Sequence, residues 1–396
     1  MIIGIVSPAL HVKSGYGIQA AHLTRHLTAA GHQVVIYAIS GVGAAELTID
    51  GITHYPGGRL SYQADTLERH VHDSGAQVVI TLCDLAHQDS ATITRLRQAG
   101  VQVLHWVPVD CEPLSVIDHA VLTYGGGHPV AMSLFGERML KDAGHSPSYV
   151  PHCVDTRMFA PLPAAARTVL REALGLDGKF VVAVNAANED LTRKGFFEMW
   201  RGFAAFHAKQ RNSVLWLHST LDGQFDHAHE IRALSLEDAV IPADDHLIKT
   251  GKLDAEYMAG WYNAADAYLC TSWGEGFGVP VEEAHACGLP VIGTDCSAVS
   301  EQLTRGTDWV VPSELKYNPL HKRAWRAPWI KGIEQALGKA YLAWSRGGNA
   351  WQARQERARE FAEQYGADVV FETFWRPVLA RCEAGDFKAV DSQAKA

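Results

Sequence analysis

Short apolar runs alternate with helical periodicities from the first residue onward. The segment IIGIVS (2–7) is rich in β-branched residues and predicts a strand, and QVVIYA (33–38) predicts the next one. Between them, apolar residues recur at helical spacing and a glycine stands where a helix C-cap belongs, at Ala20, Leu23, Leu27, Ala30 and Gly31. This order predicts a right-handed βαβ unit with parallel strands.

The alternation continues through two blocks of the chain. In the first block, further strands are predicted at 77–83, 102–109, 119–125 and 146–151. In the second, strands are predicted at 179–186, 213–219, 246–251, 267–272, 290–295 and 309–312, with helices such as 196–210 between them. Strands that alternate with helices form parallel sheets covered on both faces. The sequence therefore predicts an α/β protein with two doubly wound, Rossmann-like domains.

Two features mark the predicted domain boundaries. The stretch DTRMFAPLPAAAR (155–167) contains two prolines and an alanine run, which is typical of a linker. The last part of the chain carries helical patterns around 329–344, 349–364 and 367–382, followed by a tail without an apolar anchor. We therefore expect an N-terminal domain over 1–160, a second domain over 161–366, and a C-terminal helix with its tail over 367–396.

Composition narrows the class of protein. The 396 residues are 47% hydrophobic and 20% charged, and the net charge of −9 argues against a sequence-independent grip on nucleic acid. Apolar runs of about 18 residues, which a membrane span needs, are lacking, and the N-terminus lacks the basic flank of a signal peptide. The seven cysteines form no CxxC pair, so buried free thiols in a cytoplasmic protein are expected.

The segment SWGEGFGVPVEEAHACGLPVIGTD (272–295) carries the chemistry. Three glycines in its first turn let a backbone approach a ligand closely, and Pro280 suits the first turn of a helix, whose free N–H groups attract anions or hydroxyls. Glu275 lies in the glycine turn, and we expect its side chain to face the ligand that the turn binds. Glu282 and Glu283 fall in the first helical turn, where acids also favour the helix dipole without any ligand. That dipole explanation is favoured for Glu282.

Other ligand chemistries are weighed against this segment. GYGIQA (15–20) has the spacing of a dinucleotide fingerprint, but its loop is long and no acid ends the next strand, so Gly15 and Gly17 are interpreted as a turn facing a phosphate. The pair Asp244–Asp245 suggests a solvated loop rather than a metal site. Ser133 is interpreted as a helix N-cap, without the glycine turn that surrounds a nucleophilic serine.

The dense pattern around Glu275 resembles the retaining glycosyltransferases of family 4, which have the GT-B fold of two domains facing a central cleft. Their E-x7-E motif stands here as EGFGVPVEE (275–283) followed by AHACGLPVI. The stretches VPHCVDTRMF (150–159), LTRKGFFEMWRGF (191–203) and SGYGIQ (14–19) are similar to the family's interdomain, phosphate-binding and N-terminal loop segments. The terminal helix resembles the segment that crosses back onto the first domain.

The resemblance implies a role for each matching residue. Glu283 would bind the ribose hydroxyls of a nucleotide-sugar, and Glu275 would hold hydroxyls of the transferred sugar. Lys194 would neutralise the diphosphate as it leaves. Backbone groups that would touch the sugar or phosphate belong to Gly276, Phe277, Gly278 and Val279 in the motif, and to Gly15 and Gly17 near the N-terminus.

Two positions depart from the family pattern. Asn188 stands where the family usually has an arginine, and Arg193, next to Lys194, is the alternative source of that charge. Val109 stands where a histidine is usual before an aspartate. Asp110 is therefore the candidate first-domain catalytic residue, with His105, inside the predicted strand, as the other possibility.

We expect a metal-independent enzyme that needs no cofactor and moves a sugar from a UDP-, GDP- or ADP-type donor to a hydroxyl acceptor. The acceptor (saccharide, lipid, small molecule or modified DNA) and the oligomeric state stay open. The alternatives are a non-catalytic nucleotide-sugar binder and a sugar epimerase of the same fold.

Overall fold

The computed structural model describes residues 1–43, 45–60 and 65–388. It divides into two compact units, the first formed by Met1–Cys153 with the chain from Ala367 onward and the second by Val154–Gly366. Each unit is built on its own sheet.

The first unit is an eight-stranded sheet covered by helices. In sheet order β3-β4-β2-β1-β5-β6-β7-β8, all neighbours are parallel except β3 and β4. The strands are β1 (Ile2–Ser7), β2 (Gln33–Ala38), β3 (Leu47–Ile49), β4 (Ile52–Tyr55), β5 (Val78–Thr81), β6 (Gln102–Val107), β7 (His128–Ala131) and β8 (Ser148–Tyr149). The helices are α1 (Gly15–Ala29), α2 (Leu67–Ser74), α3 (Ser90–Gln98), α4 (Val116–Tyr124) and α5 (Leu134–Asp142).

The second unit is a six-stranded, fully parallel sheet with an appended hairpin. Its strands are β9 (Phe180–Asn185), β10 (Ser213–His218), β11 (Val240–Pro242), β12 (Ala267–Cys270), β13 (Val291–Thr294) and β14 (Trp309–Val311), in the order β11-β10-β9-β12-β13-β14. The hairpin pairs β15 (Ser313–Asn318) with β16 (Arg323–Pro328). The helices are α6 (Ala164–Ala173), α7 (Phe196–His207), α8 (His227–Ala233), α9 (Asp245–Lys249), α10 (Ala255–Ala264), α11 (Val279–Ala286), α12 (Ser297–Gln302), α13 (Ile330–Arg346) and α14 (Gly348–Glu363).

The chain then returns to the first unit as α15 (Ala367–Val370), a π-helical turn over Phe371–Trp375, and α16 (Arg376–Ala384). The Gln102 side chain at the start of β6 donates to the Cys382 carbonyl oxygen at 2.8 Å. The Trp106 ring packs edge-on against Trp375, with centroids 4.9 Å apart. These contacts fix the C-terminal helix against the first sheet.

The predicted α/β class with two doubly wound sheets is confirmed, but two predicted strands are wrong. Segment 119–125 lies in α4 and 246–251 lies largely in α9. Both helices have an N-cap: the Ser115 hydroxyl accepts from the Asp118 amide, and the Asp244 carboxylate accepts from the amides of His246 and Leu247. Asp244 thus begins a helix in a segment that the sequence predicted to be a solvated loop.

The predicted linker is only partly irregular, because α6 begins inside it at Ala164. Arg167, its last residue, donates to the buried Asp266 carboxylate at 2.7 Å. Ser133 caps α5 as predicted, and all seven cysteines, each among the described residues, are buried and outside any disulfide. Within 1–43, 45–60 and 65–388, no helix has the length and apolar character to cross a bilayer. The end of the predicted tail, 389–396, lies outside the described residues.

Candidate functional site

The candidate site of the second unit lies at the carboxyl ends of its central strands. The chain leaves β12, forms the glycine-rich loop, and enters α11 with Pro280 in the first helical turn. Gly278 adopts φ +95°, a left-handed conformation that side chains disfavour. The Ser297 hydroxyl accepts from the Glu275 amide at 2.8 Å and lies 2.9 Å from the Glu275 carbonyl oxygen. The loop is thereby held in one conformation.

A small recess, with a cavity volume of about 20 Å³, lies at these strand ends. Its lining combines polar and charged groups with the start of the helix and includes Asn185, Lys194, Tyr268, Ser272, Glu275 and Pro280. Parallel sheets bind ligands at this edge, and the free N–H groups of α11 favour an anion there.

Glu275 is the centre of a charged cluster. Its carboxylate lies 2.5 Å from the Lys194 ammonium and 3.2 Å from the Arg193 guanidinium, and it accepts from the Ser272 hydroxyl at 2.6 Å. Burial favours the protonated acid, but the charges of Lys194 and Arg193 and these hydrogen bonds outweigh it and lower the pKa of Glu275 to about 2. Glu275 is therefore an ionised hydrogen-bond acceptor at neutral pH.

Arg193 and Lys194 reach the same carboxylate although they are adjacent in the chain. The Asp190 carboxylate accepts from the amides of Thr192 and Arg193 at 2.8 and 2.7 Å, which folds the segment into a tight turn. Gly195 follows at φ +63°, where an added Cβ would lie 2.0 Å from the Thr271 carbonyl oxygen. The turn needs this glycine, and the sequence could not show that both cations converge.

Glu283 lies on α11 beside Tyr262. Its carboxylate accepts from the Tyr262 hydroxyl at 2.9 Å, and that hydroxyl in turn accepts from the Asn185 amide at 3.0 Å. Burial raises the pKa of Glu283 to about 7, and the hydrogen bond from Tyr262 offsets only part of this effect. Glu283 thus changes charge within the physiological range.

Glu282 points away from the recess into the core. Its side chain is buried near His285, whose ring also lies 3.2 Å from the Asp308 carboxylate. Although burial opposes it, these two acids raise the pKa of His285 to about 10. The adjacent acids Glu282 and Glu283 therefore belong to different environments.

Asn188, at the position where the resemblance predicts an arginine, is a buried structural residue. Its side-chain oxygen accepts from the Phe225 amide at 2.8 Å, and its NH2 group donates to the carbonyl oxygens of Thr220 and Phe225. These bonds fix the loop between β10 and α8. The positive charge beside Lys194 comes from Arg193.

The remaining predicted residues belong to the first unit. Gly15 and Gly17 lie in the first turn of α1, where the Ser14 hydroxyl accepts from the Gly17 amide at 3.2 Å. Asp110 follows β6 and is buried. His105 lies inside β6 as expected, within hydrogen-bonding distance of Thr81 and Gly126, and burial lowers its pKa to about 4. His105 is therefore a core histidine.

The sequence motif at 275–283 identifies only part of the site. Ser272, Ser297 and Tyr262 bond directly to the two motif glutamates, and the sequence did not single them out. Ser272 stands three residues before Glu275, a spacing that allows such a bond in a turn. Tyr262 lies in α10, 21 residues before Glu283, and residue spacing alone did not indicate their bond.

Part of the second unit is similar to a family of known proteins. Residues 178–317 match the family described as glycosyl transferases group 1. Mannosylfructose-phosphate synthase of Agrobacterium fabrum is 28% identical over 148 residues, which is 37% of this chain and 32% of that protein. D-inositol 3-phosphate glycosyltransferase of Pseudarthrobacter chlorophenolicus is 31% identical over 157 residues, 39% of this chain and 36% of that protein. The matched region thus spans about a third of these relatives.

Solved structures share the fold over almost the entire chain. Sucrose-phosphate synthase from Thermosynechococcus elongatus aligns with a TM-score of 0.73 at 18% identity, covering 96% of this chain and 99% of that one. Anabaena Alr3699/HepE in complex with UDP-glucose aligns with a TM-score of 0.69 at 13% identity, covering 96% and 100%. The fold is GT-B, and residues 178–317 of the chain are similar to the group 1 glycosyltransferases.

Proposed function

We propose that the protein transfers a sugar from a nucleotide-diphosphate-sugar to a hydroxyl acceptor with retention of configuration, as a family 4 glycosyltransferase. The observation that carries the proposal is the ionised Glu275 held between Lys194 and Arg193 at the start of α11. An acceptor of hydroxyl hydrogen bonds and a source of positive charge stand side by side there. This is the combination that a sugar diphosphate requires.

The donor is proposed to bind along the recess of the second unit. Glu283 would accept hydrogen bonds from the ribose, and the amides of Gly276, Phe277, Gly278 and Val279 would face the sugar and phosphate. A solved relative, Alr3699/HepE, is described in complex with UDP and with UDP-glucose, which supports a donor of this class. The proposal covers UDP-, GDP- and ADP-type sugars.

Charge on the leaving group explains the proposed roles of the cations. The bond between the sugar's anomeric carbon and the diphosphate oxygen breaks while the acceptor oxygen bonds to the same face of that carbon, and the acceptor's hydroxyl proton passes to the departing diphosphate oxygen. Negative charge grows on the diphosphate, and we propose that Lys194 and Arg193 stabilise it. These cations would supply the charge that a metal ion supplies elsewhere, so we propose a metal-independent reaction.

The first unit is proposed to supply Asp110 to the transferred sugar and Gly15 and Gly17 to the donor phosphates. The acceptor is proposed to be a small hydroxyl compound, because the names of two relatives contain phosphorylated polyols or sugars. The proposed location is the cytoplasm.

Product analysis tests the proposal against its two alternatives. The purified protein is incubated with UDP-, GDP- and ADP-hexoses and a panel of hydroxyl acceptors, and the products are identified by mass spectrometry and by NMR of the anomeric proton. A new glycoside with the donor's anomeric configuration supports the proposal. A free epimer with no glycoside indicates an epimerase, and binding without turnover indicates a non-catalytic binder.

A further inference from the structure

The hairpin of β15 and β16 packs one face on the second unit and leaves the other exposed. Trp325 and Ala327, on the packed face, are each 2% exposed. Leu315 and Tyr317, which point the opposite way, are 52% and 66% exposed. The packed face anchors the hairpin, so single polar contacts at its edge are not needed to hold it in place.

The hairpin tip is bonded to the turn that presents Arg193. Asn318 donates from its side-chain amide to the Thr192 hydroxyl at 2.9 Å. His321 Nε2 lies 3.1 Å from one oxygen of Asp190, whose other oxygen accepts from the amides of Thr192 and Arg193. The hairpin therefore contacts Asp190, the residue whose carboxylate accepts from the Arg193 amide and fixes the backbone of the turn.

The hairpin is also bonded to the strand end that leads into the glycine-rich loop. The Arg326 amide donates to the Trp273 carbonyl oxygen at 3.0 Å, and the Trp273 amide donates to the Arg193 carbonyl oxygen at 2.7 Å. The Lys316 ammonium lies 5.9 Å from the centroid of the Trp273 ring. Trp273 stands two residues before Glu275, so one hairpin contacts both segments whose side chains form the charged cluster.

We propose that this hairpin is a positioning element that holds the Arg193–Lys194 turn and the Glu275 loop at the separation needed to bind the diphosphate of a nucleotide. The inference rests on the proposed function of the recess. Thr192, Asn318 and His321 act through the turn, as positioning residues. Ligand binding costs less conformational entropy when the turn is already ordered in the free protein. A change that makes the turn less ordered should therefore weaken binding.

Substitutions at the hairpin contacts can distinguish an effect on nucleotide binding from an effect on the stability of the fold. Thr192→Val keeps the side-chain shape and removes the oxygen that accepts from Asn318. Asn318→Asp keeps the oxygen that accepts from the amides of Leu320 and His321 and removes the donated bond. His321→Ala removes the contact with Asp190, whereas His321→Gln retains a donor. Tyr317→Ala, on the exposed face, is the matched control.

The probes are UDP, GDP and ADP, titrated calorimetrically into each variant, with the thermal unfolding midpoint measured in parallel. We expect Thr192→Val, Asn318→Asp and His321→Ala each to raise the Kd of the bound nucleotide about three- to tenfold. The Thr192→Val/His321→Ala double variant should raise it further. Tyr317→Ala and His321→Gln should stay within about twofold of the wild type, and the midpoints of all variants should move by no more than about 2 °C.

Two results would overturn the inference in different ways. If the wild type binds a nucleotide and the double variant binds it equally well, the hairpin has no positioning role while the proposed function stands. If the wild type binds none of the three nucleotides, the proposed function fails and the hairpin inference fails with it. A His321→Gln variant as weak as His321→Ala would also contradict the proposed contact with Asp190.

Discussion

The Lys194 ammonium and one oxygen of the Glu275 carboxylate lie 2.5 Å apart, and the two side chains are only 15% and 14% exposed. The cation that we propose for the leaving diphosphate is therefore already paired. Arg193 contacts the other oxygen of the same carboxylate. A diphosphate that entered the recess would share these cations with Glu275, and it would meet them in a fixed position.

Replacement of Lys194 tests this sharing. We expect Lys194→Met to lower kcat by about 10²- to 10³-fold, because charge on the departing diphosphate would lose one of its two cations. The measurement is the rate of nucleoside-diphosphate release at a saturating concentration of the donor that the protein accepts. Lys209→Met, which removes an exposed lysine paired with Glu334, is the control and should leave kcat unchanged. A Lys194→Met variant as fast as this control would exclude Lys194 from the reaction.

The raised pKa of Glu283 predicts a pH-dependent stability. A carboxyl with a pKa of about 7 in the folded protein and 4.5 when unfolded stabilises neither state below pH 4.5, where both forms hold the proton. As the pH rises towards 7, the unfolded chain ionises first, so this residue increasingly destabilises the fold. Above pH 7 the loss is complete, at about 3 kcal/mol by the size of the shift.

Glu283→Gln removes this ionisation. Relative to the wild type, we expect little change in the free energy of unfolding at pH 4.5 and a gain of about 2–3 kcal/mol at pH 8, from urea titrations at both pH values. Glu314→Gln, at an exposed site, should show no such trend. An equal effect of Glu283→Gln at both pH values would mean that Glu283 titrates normally.

Tyr262 orients Glu283 through a single hydroxyl. We expect Tyr262→Phe to weaken nucleotide-sugar binding by about three- to tenfold while the ring packing persists. Loss of the hydrogen bond should also raise the pKa of Glu283 further, because that bond favours the ionised acid. Calorimetric titrations between pH 6 and 9 measure both effects. Tyr341→Phe, which removes a partly exposed hydroxyl bonded to Asn212, should match the wild type.

The motif segment could be predicted in detail because its constraints are local. The glycine turn, the helix start at Pro280 and the following strand all depend on residues within about twenty positions. The apolar runs at 119–125 and 246–251 fit a strand or a helix equally well, and the deciding N-caps, Ser115 and Asp244, lie just before them.

The charged cluster itself could not be derived from the sequence. Its geometry depends on the turn that Asp190 closes and on the hairpin at 313–328, which the sequence did not predict. The hairpin has a charged and aromatic sequence without strict alternation of polar and apolar residues, so the period-two pattern of a half-buried strand is weak there. Side-chain contacts between different elements, such as that of Tyr262 in α10 with Glu283 in α11, cannot be read from the spacing of residues in a single sequence.

Asn188 shows how such contacts alter a prediction. We expect Asn188→Ala to lower the free energy of unfolding by about 2–3 kcal/mol, because buried backbone groups of Thr220 and Phe225 would lose their partners. Asn188→Arg should be at least as destabilising and should not raise turnover. Asn349→Ala, at an exposed position, is the control for chemical denaturation. A stable and more active Asn188→Arg variant would contradict this structural role.

Release of the nucleoside diphosphate shows whether Glu275 and its two cations act on a nucleotide-sugar. The wild type and Glu275→Gln are each incubated with UDP-, GDP- and ADP-hexoses, with and without acceptors. The free nucleoside diphosphate is quantified by mass spectrometry. We expect the wild type to consume one donor class and Glu275→Gln to be slower by at least about 10²-fold. Equal release by both proteins, or no release from any donor by the wild type, would contradict this expectation.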